Sequence, residues 1–186
     1  MRLFVGLALS EEAKQRLERL TLRLRAPEDG LRWTSAEQWH ITLVFLATVE
    51  DKERALLLRE WGRIHAVAVA VRIEGLGTFD RTGILYAAVE VSPELLHLQQ
   101  RVAEAARVSG LEAEDRAYRP HITLARSRNR EGLRTLQRLK PALEKQRLRV
   151  DWRAEEVLMY ESQLSPSGSR YLVRERFALS EDDCGG

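Results

Sequence analysis

The sequence predicts an α+β fold built from two similar halves. The tetrapeptide His-Ile-Thr-Leu occupies residues 40–43 and recurs, 81 residues later, at residues 121–124. The apolar pattern on both sides of the two copies matches as well. Each half combines short apolar runs typical of strands with longer runs at helical spacing, and turn-rich segments join some strands as hairpins. This mixture of elements indicates the α+β class.

The first half begins with a short apolar run and continues with an amphipathic helix. Ser10 precedes this helix and is a predicted N-cap, because acidic residues follow it in the first turn. A loop then leads to the strand that holds residues 40–43. The predicted elements are, in order, a strand over Leu3–Leu9, a helix with apolar residues from Ala13 to Leu24, the residue 40–43 strand, a helix over Glu50–His65 and a strand over Val67–Ile73.

The second half repeats this order. Ser92 is a predicted N-cap and Gly110 a predicted helix stop, while Pro141 predicts a break or kink in a later helix. The predicted elements are a strand over Leu85–Val91, a helix from Leu95 to Ala106, the residue 121–124 strand, a helix over Glu131–Lys145 and a strand over Leu148–Trp152, with hairpin turns at Asp80–Gly83 and Ser165–Gly168. We interpret residues 1–180 as a single domain built from an internal duplication, and residues 181–186 as a flexible tail.

Composition excludes several classes of protein. The 186 residues are 44% hydrophobic, and 30 basic residues nearly balance 28 acidic ones. A net charge of +2 argues against a strongly basic nucleic-acid coat protein and against an acidic disordered one. The one cysteine, Cys184, cannot form an internal disulfide, and no Cys/His cluster predicts structural zinc. Without a signal-peptide pattern or an apolar run of ~18 residues, we expect a cytoplasmic protein with no membrane contact. We also expect a monomer, because the predicted elements leave over no large apolar stripe.

The repeated motif places polar side chains on one face of each strand. Because alternate residues of a strand point to opposite sides, His40 and Thr42 share one face, and Ile41, Leu43 and Phe45 share the other. The second copy alternates in the same way. If the two halves pack about a pseudo-twofold axis, their polar faces confront each other, and two imidazoles and two hydroxyls line a central cleft. We therefore expect a bilobal molecule, with two related sheet and helix units flanking that cleft.

This set of side chains fits phosphoryl transfer at a phosphodiester. The unperturbed histidine pKa of about 6.5 allows one imidazole to accept a proton from an attacking water or hydroxyl while the other protonates the leaving oxygen. In-line displacement needs these two groups on opposite sides of the phosphorus, which a two-sided cleft supplies. The threonine hydroxyls can donate to the non-bridging oxygens. This scheme requires no metal ion.

The paired His-x-Thr-Leu motifs resemble those of the two-histidine phosphoesterase superfamily. The surrounding residues narrow the resemblance to the RNA 2′,3′-cyclic phosphodiesterases, also called 2′-5′ RNA ligases. The segments that are similar to this family are Phe4–Leu7, Trp33, Trp39–Leu46, Pro120–Arg126 and Ser162–Tyr171. The resemblance thus extends over almost the whole chain.

The resemblance implies a bilobal α+β enzyme that opens a terminal 2′,3′-cyclic phosphate of RNA to a 2′-phosphate without metal or nucleotide cofactor. It implies that His40 protonates the leaving 3′ oxygen, that His121 activates water, and that Thr42 and Thr123 hold the phosphate. A 5′-hydroxyl attacking the cyclic phosphate instead of water would give a 2′-5′ ligated product. The implied partner is an RNA or oligonucleotide with a 2′,3′-cyclic phosphate end.

Three further residues are candidates for substrate contact. Arg126 matches the arginine that follows the second motif in the family and is expected to bind phosphate, although strict alternation points it away from His121 unless a bulge or strand end intervenes. Phe45 and Tyr118 flank the motifs and are candidates for stacking on a base. Ala47-Thr48 departs from the family, because many relatives have a glycine after the first motif; we expect this change to alter a turn and to leave the chemistry intact.

Three alternatives remain open at this point. Two histidines can ligate zinc, but no Asp, Glu or Cys lies within the motifs to complete the usual three protein ligands. The chain could bind RNA ends without turnover, although the histidines and threonines of both motifs are intact. It could also be a sibling cyclic phosphodiesterase that acts on a small nucleotide, because the depth of the pocket decides substrate size.

Overall fold

A computed structural model describes residues 1–64, 66–113, 117–165 and 168–180, so the predicted tail and His65 lie outside the described residues. This part of the chain forms four α-helices, nine strands and one 3₁₀ turn. In order they are β1 (Arg2–Ala8), α1 (Glu11–Leu24), β2 (Leu31–Trp33), a 3₁₀ turn (Ala36–Gln38), β3 (His40–Thr48), α2 (Asp51–Trp61), β4 (Val69–Phe79), β5 (Ile84–Val89), α3 (Pro93–Val108), β6 (His121–Ser127), α4 (Arg130–Glu144), β7 (Val150–Ala154), β8 (Glu156–Ser165) and β9 (Gly168–Ala178).

The strands form two antiparallel sheets, which confirms the predicted α+β class. Sheet 1 has the strand order β3-β1-β8-β9, and sheet 2 has the order β2-β6-β5-β4-β7. The predicted hairpins are present, with β4 paired to β5 and β8 paired to β9. The helices pack against the sheets around the main hydrophobic core. None of the helices in the described residues has the length and hydrophobicity needed to cross a membrane.

The helix boundaries largely follow the predicted signals. The Ser10 and Ser92 hydroxyls accept hydrogen bonds from the backbone of their first turns at 3.2 and 3.1 Å, as N-caps do. Gly110, with φ of +84°, follows the end of α3. The predicted break at Pro141 is wrong: α4 continues to Glu144, because a proline in the last turn removes one hydrogen bond close to the point where the helix ends anyway.

Neither sheet comes from one half of the sequence alone. Sheet 1 combines the first-half strands β3 and β1 with the second-half strands β8 and β9. Sheet 2 combines the second-half strands β6, β5 and β7 with the first-half strands β2 and β4. Between β4 and β7, Val71 pairs with Trp152, which is the residue 81 positions later. Matching positions of the two halves therefore meet in this antiparallel pair, as they would about a twofold axis.

The loop expected before β3 contains a short strand that sequence analysis missed. Residues Leu31–Trp33 form β2, which crosses to the second sheet and pairs with β6. Arg32 lies opposite Arg126, and Trp33 lies opposite Ala125. Three residues are too few for a period of two to be visible, so no pattern distinguished this strand from a loop.

Each histidine strand contains one extra residue at the same relative position. Against β1, Thr42 and Val44 pair with successive residues, so Leu43 is the extra residue of a β-bulge. Against β5, Leu124 is extra in the same way. The bulge turns two successive residues toward the core: Leu43 and Val44 are both buried, as are Leu124 and Ala125.

The bulges change the face of the residues that follow them. Phe45 was expected among the buried residues on the side of Ile41, and this expectation is wrong, because Phe45 is 50% exposed. Arg126 occupies the matching position in β6 and is also exposed. Phe45 therefore shares a face with His40, and Arg126 shares a face with His121. The bulge that the Arg126 assignment required is present.

Ala47 occupies a backbone conformation that favours glycine. Its φ is +52°, and it follows a second register shift near the end of β3. A side chain in this left-handed region costs roughly 1–2 kcal/mol. The sequence predicts an altered turn at Ala47-Thr48, and the chain makes this turn at a cost in stability.

Replacing Ala47 with glycine should therefore stabilise the protein. The relief of the left-handed conformation exceeds the roughly 0.5–1 kcal/mol of extra chain entropy that glycine loses on folding. We expect Ala47→Gly to raise the free energy of unfolding by about 0.5 kcal/mol, measured by urea denaturation. Ala55→Gly, at an exposed position in the interior of α2, is the control and should lower it. A loss of stability in Ala47→Gly would contradict this account of the turn.

Candidate active site

The two histidine motifs lie on the sheet faces opposite the main core. Residues that pair directly across antiparallel strands share a face, so the pairings with β1 and β5 identify the residues of each face. On sheet 1 this face contains His40, Thr42 and Phe45, paired with Ala8, Gly6 and Phe4. On sheet 2 it contains His121, Thr123 and Arg126, paired with Ala88, Tyr86 and Ile84. The strands β3 and β6 contact each other, which brings the two faces together.

Both imidazoles are held by the same backbone hydrogen bond. Nδ1 of His40 lies 2.7 Å from the carbonyl oxygen of Gln38, and Nδ1 of His121 lies 2.9 Å from that of Arg119. A carbonyl oxygen can only accept a hydrogen bond, so Nδ1 carries the proton in each ring. Nε2 is then the nitrogen that gains and loses a proton during chemistry. Because each carbonyl comes from two residues before the histidine, the chain itself orients each ring.

His40 lies in an aromatic environment. Its ring centroid is 4.6 Å from that of Phe4, which stacks on Tyr160 at 4.9 Å. Tyr171, from the β8–β9 hairpin, meets the His40 ring edge-on at 5.0 Å. The Gln38 side-chain amide donates to the carbonyl oxygen of Ser169, which ties this hairpin beside the histidine.

His121 has a corresponding aromatic pair. Phe79 and Tyr86 stack with centroids 4.2 Å apart, and Phe79 meets the His121 ring edge-on at 5.0 Å. A Cβ atom at Gly77 would lie 2.6 Å from the Tyr86 hydroxyl, so glycine is needed for Tyr86 to lie there. Sequence reasoning considered Phe79 for stacking on a base but did not assign Tyr86 to the site. The repeat contained the signal, because Phe79 aligns with Tyr160 at the offset of 81 and Phe4 aligns with Tyr86 at an offset of 82.

The surroundings of His40 lower its pKa. Burial is the main cause that lowers the His40 pKa to about 4, and the hydrogen bond to Gln38 opposes this effect. Positive charge on His121 and on Arg126 lowers the pKa further. The electrostatic effect of both β6 residues on His40 indicates that the two motifs converge. His40 is therefore neutral at pH 7 in the ligand-free protein.

Reciprocal hydrogen bonds join the two motifs through their backbones. The Tyr118 hydroxyl, in the segment before β6, donates to the Thr42 carbonyl oxygen at 3.1 Å. Burial raises the pKa of Tyr118, so this hydroxyl keeps its proton. From the other half, Thr34 Oγ1 lies 2.8 Å from the Thr123 carbonyl oxygen. The role of Tyr118 in base stacking stays a prediction. Its hydroxyl also holds the segment before β6 against β3.

The faces that contain the histidines also contain both threonines, and they offer the groups that decide whether a metal ion or an anion binds. Thr42 and Thr123 are partly exposed beside their histidines, where their hydroxyls can donate to a bound anion. Within residues 1–64, 66–113, 117–165 and 168–180, no group of three or more His, Cys, Asp or Glu side chains could hold a metal ion. The donors that the described part of this site offers are imidazole, hydroxyl and guanidinium groups, which suit an anion such as phosphate.

Comparison with known proteins agrees with this arrangement. Residues 9–165 match the sequence model of the 2′-5′ RNA ligase superfamily. The chain belongs to this superfamily. The match includes both histidine motifs and the aromatic residues Phe79, Tyr86 and Tyr160.

Curated relatives of the superfamily include three bacterial proteins named RNA 2′,3′-cyclic phosphodiesterase. The Thermus thermophilus protein is 29% identical over 96% of this chain and 90% of its own length. The Escherichia coli protein is 31% identical over 67% of this chain and 71% of its own length. The Geobacillus stearothermophilus protein is 32% identical over 66% of this chain, and the match spans 41% of that relative.

Solved structures of similar proteins have the same fold. A crystal structure of E. coli LigT without ligand superimposes with a TM-score of 0.79 over 97% of this chain and 98% of that chain, at 23% identity. A protein of Thermus thermophilus superimposes with a TM-score of 0.77 over 98% of this chain and all of that chain, at 25% identity. The arrangement of four helices and two antiparallel sheets is therefore that of the superfamily.

The lowered His40 pKa predicts a specific acid sensitivity. The unfolded chain binds a proton at His40 below pH ~6.5, whereas the folded chain resists it until about pH 4. The stability that this neutral, buried ring contributes is complete above pH ~6.5 and is lost as the pH falls toward 4. We expect wild type to lose on the order of 2 kcal/mol more than His40→Asn between pH 7 and pH 4.5.

Urea denaturation of both proteins at the two pH values measures this difference. Asparagine is the appropriate replacement because its side-chain amide can still donate to the Gln38 carbonyl oxygen but does not titrate. Equal losses of stability in the two proteins would show that folding does not resist protonation of His40.

Proposed function

We propose that the chain is an RNA 2′,3′-cyclic phosphodiesterase that hydrolyses a terminal 2′,3′-cyclic phosphate to a 2′-phosphate. The observation that carries this proposal is the pair of His-x-Thr strands on facing sheets, each with its imidazole Nδ1 bonded to the backbone. Membership of the superfamily and the names of the curated relatives support it. We further propose that the protein acts as a monomer on RNA ends in the cytoplasm.

In the proposed reaction His121 is the base and His40 the acid. Nε2 of His121 takes a proton from water, whose oxygen attacks the phosphorus. The bond between phosphorus and the 3′ oxygen breaks, and Nε2 of His40 gives its proton to that oxygen. One water is consumed, and the products are a 2′-phosphate and a 3′-hydroxyl. The histidines then exchange protons with solvent to regain their starting states.

The remaining site residues have proposed roles in binding. Thr42 and Thr123 donate to the non-bridging oxygens, and Arg126 offsets the negative charge that builds on them. Phe45, exposed on the opposite strand, offers a flat surface for a base. A 5′-hydroxyl in the place of water would give a 2′-5′ linkage, so the same groups support ligation.

The acid role of His40 depends on the substrate. With a pKa of about 4, His40 is neutral at pH 7 in the protein alone. A phosphate beside it adds negative charge that offsets Arg126 and His121, so its pKa rises on binding. Phosphate binding and protonation of His40 therefore favour each other.

Asparagine replacements at either histidine should abolish most of the activity. His40→Asn and His121→Asn keep the hydrogen bond to the backbone and lose the titrating Nε2. We expect each to lower kcat/KM by ~10²-fold or more, because general acid and general base catalysis each contribute about that much. The assay follows an RNA that ends in a 2′,3′-cyclic phosphate, with chromatographic separation of 2′- and 3′-phosphate products.

His97→Asn, on the exposed surface of α3, is the matched control and should retain full activity. Near-normal turnover in either motif variant would contradict the proposed chemistry. A wild-type protein that binds the RNA end without forming product would be a binding protein instead. Loss of activity after exhaustive chelation would indicate a metal-dependent reaction.

Inorganic phosphate should raise the pKa of His40. The imidazole ¹⁵N resonances, titrated by NMR with and without saturating phosphate, report the protonation of each histidine separately. We expect a higher midpoint for His40 when phosphate is present and no change for His97. An unchanged His40 midpoint would contradict the proposed contact between this ring and the reacting phosphate.

A further inference from the structure

Two arginines lie side by side on the face of sheet 2 that contains His121. Arg32 of β2 is directly opposite Arg126 of β6, and both side chains are exposed. Like charges opposite one another on neighbouring strands destabilise a sheet. Neither guanidinium forms an ion pair or a side-chain hydrogen bond within the part of the chain that the structure describes.

Several other arginines in the sheets are paired with carboxylates. Arg72 of β4 lies opposite Asp151 of β7, with Nε and Oδ1 2.5 Å apart, and also bonds to Glu90 at 2.9 Å. Arg176 of β9 bonds to Glu156 at 2.7 Å. The chain thus supplies counter-charges to these arginines, whereas it places two cations directly opposite each other on the face of the proposed active site. An anionic ligand would supply the missing counter-charge.

The backbone of Arg32 is fixed on both sides. The Asp29 carboxylate accepts hydrogen bonds from the Leu31 amide and from the Trp33 indole, both at 2.8 Å. Thr34, immediately after β2, donates its amide to the Leu124 carbonyl oxygen at 2.9 Å. β2 is an edge strand, so Arg32 lies at the outer margin of the site face. Because the backbone is already ordered, binding at Arg32 orders its side chain alone.

The position of Arg32 suits contact with a second phosphate of the substrate. Arg126 shares the face of β6 with His121 and Thr123 and so lies near the proposed reacting phosphate. Arg32 is one strand spacing, about 4.8 Å, farther toward the edge. A nucleotide that ends in a 2′,3′-cyclic phosphate has both of these hydroxyls esterified, so the chain can continue only through the 5′ oxygen. The next phosphate beyond the reacting one is therefore the 5′-phosphate of the terminal nucleotide.

We infer that Arg32, beside Arg126, binds the 5′-phosphate of the nucleotide that carries the cyclic phosphate. This inference rests on the proposed function and adds a specificity determinant to it. The protein would then favour ends of RNA chains, in which this phosphate is always present, over free nucleoside 2′,3′-cyclic phosphates. In sheet 1 Phe45 occupies the position that corresponds to Arg126. Of the two described motif strands, β6 alone therefore offers a basic side chain at this position for the second phosphate.

Two substrates that differ by one phosphate test this inference. One is a nucleoside 2′,3′-cyclic phosphate with a free 5′-hydroxyl, and the other is the same compound with a 5′-phosphate. We expect wild type to have at least about tenfold higher kcat/KM for the second, as a charge-assisted hydrogen bond supplies. Arg32→Gln should lose most of this preference while its kcat/KM for the first substrate changes less than about twofold. Arg32→Lys should retain part of it.

Arg23→Gln makes the same change of charge on the exposed surface of α1 and should keep the full preference. An unchanged preference in Arg32→Gln would overturn the inference. Equal losses for both substrates would also overturn it, because they would indicate a role at the reacting phosphate or in folding.

A binding measurement separates this inference from the proposed function. Calorimetric titration compares a nucleoside 2′-phosphate with the corresponding 2′,5′-bisphosphate, and it needs no turnover. Tighter binding of the bisphosphate in wild type, lost in Arg32→Gln, supports the 5′-phosphate site even if no hydrolysis is detected. Equal affinities of wild type for the two compounds would overturn the site, whatever the enzyme assay gives.

Discussion

The arrangement of the site depends on one extra residue in each histidine strand. A regular strand would direct the third residue after the threonine toward the core, where a guanidinium would be buried without a partner. The bulges at Leu43 and Leu124 bury two successive apolar residues and return the next one to the open face. The histidine and threonine precede the bulge and are undisturbed. Both strands therefore contain the same β-bulge, and the position that follows it holds a different side chain in each strand.

That position makes a nearly symmetric framework chemically asymmetric. The imidazoles, threonines and aromatic pairs have counterparts in both sheets, and so do the hydrogen bonds from Nδ1 to the backbone. Phe45 and Arg126 break this correspondence. A flat apolar surface thus borders one side of the site and positive charge borders the other. A nucleotide has the same division between its base and its phosphates, so the asymmetry favours one orientation of substrate.

The sequence was sufficient for the repeat, the fold class and the pairing of the two motifs, since these depend on spacing that is directly visible. It could not show the bulges, because Leu43-Val44 and Leu124-Ala125 look like continued apolar strand whether or not a residue is skipped. The exchange of β4 and β8 between sheets was also hidden. The offset of 81 identifies equivalent positions of the two halves. It does not show which strands pair, because long-range packing decides the partners. The aromatic residues around the histidines aligned in the repeat, but their contacts depend on which strands are neighbours.

The difference between the two histidines follows from their surroundings and from the state of the site. Burial and nearby positive charge leave His40 neutral at pH 7 when no anion is present. In the proposed reaction the ring that donates a proton would therefore acquire it as the phosphate binds, because the phosphate offsets the local excess of positive charge. On this proposal the acid and base roles belong to the complex with substrate, and the direction of proton transfer depends on the charge of the bound substrate as much as on the two imidazoles.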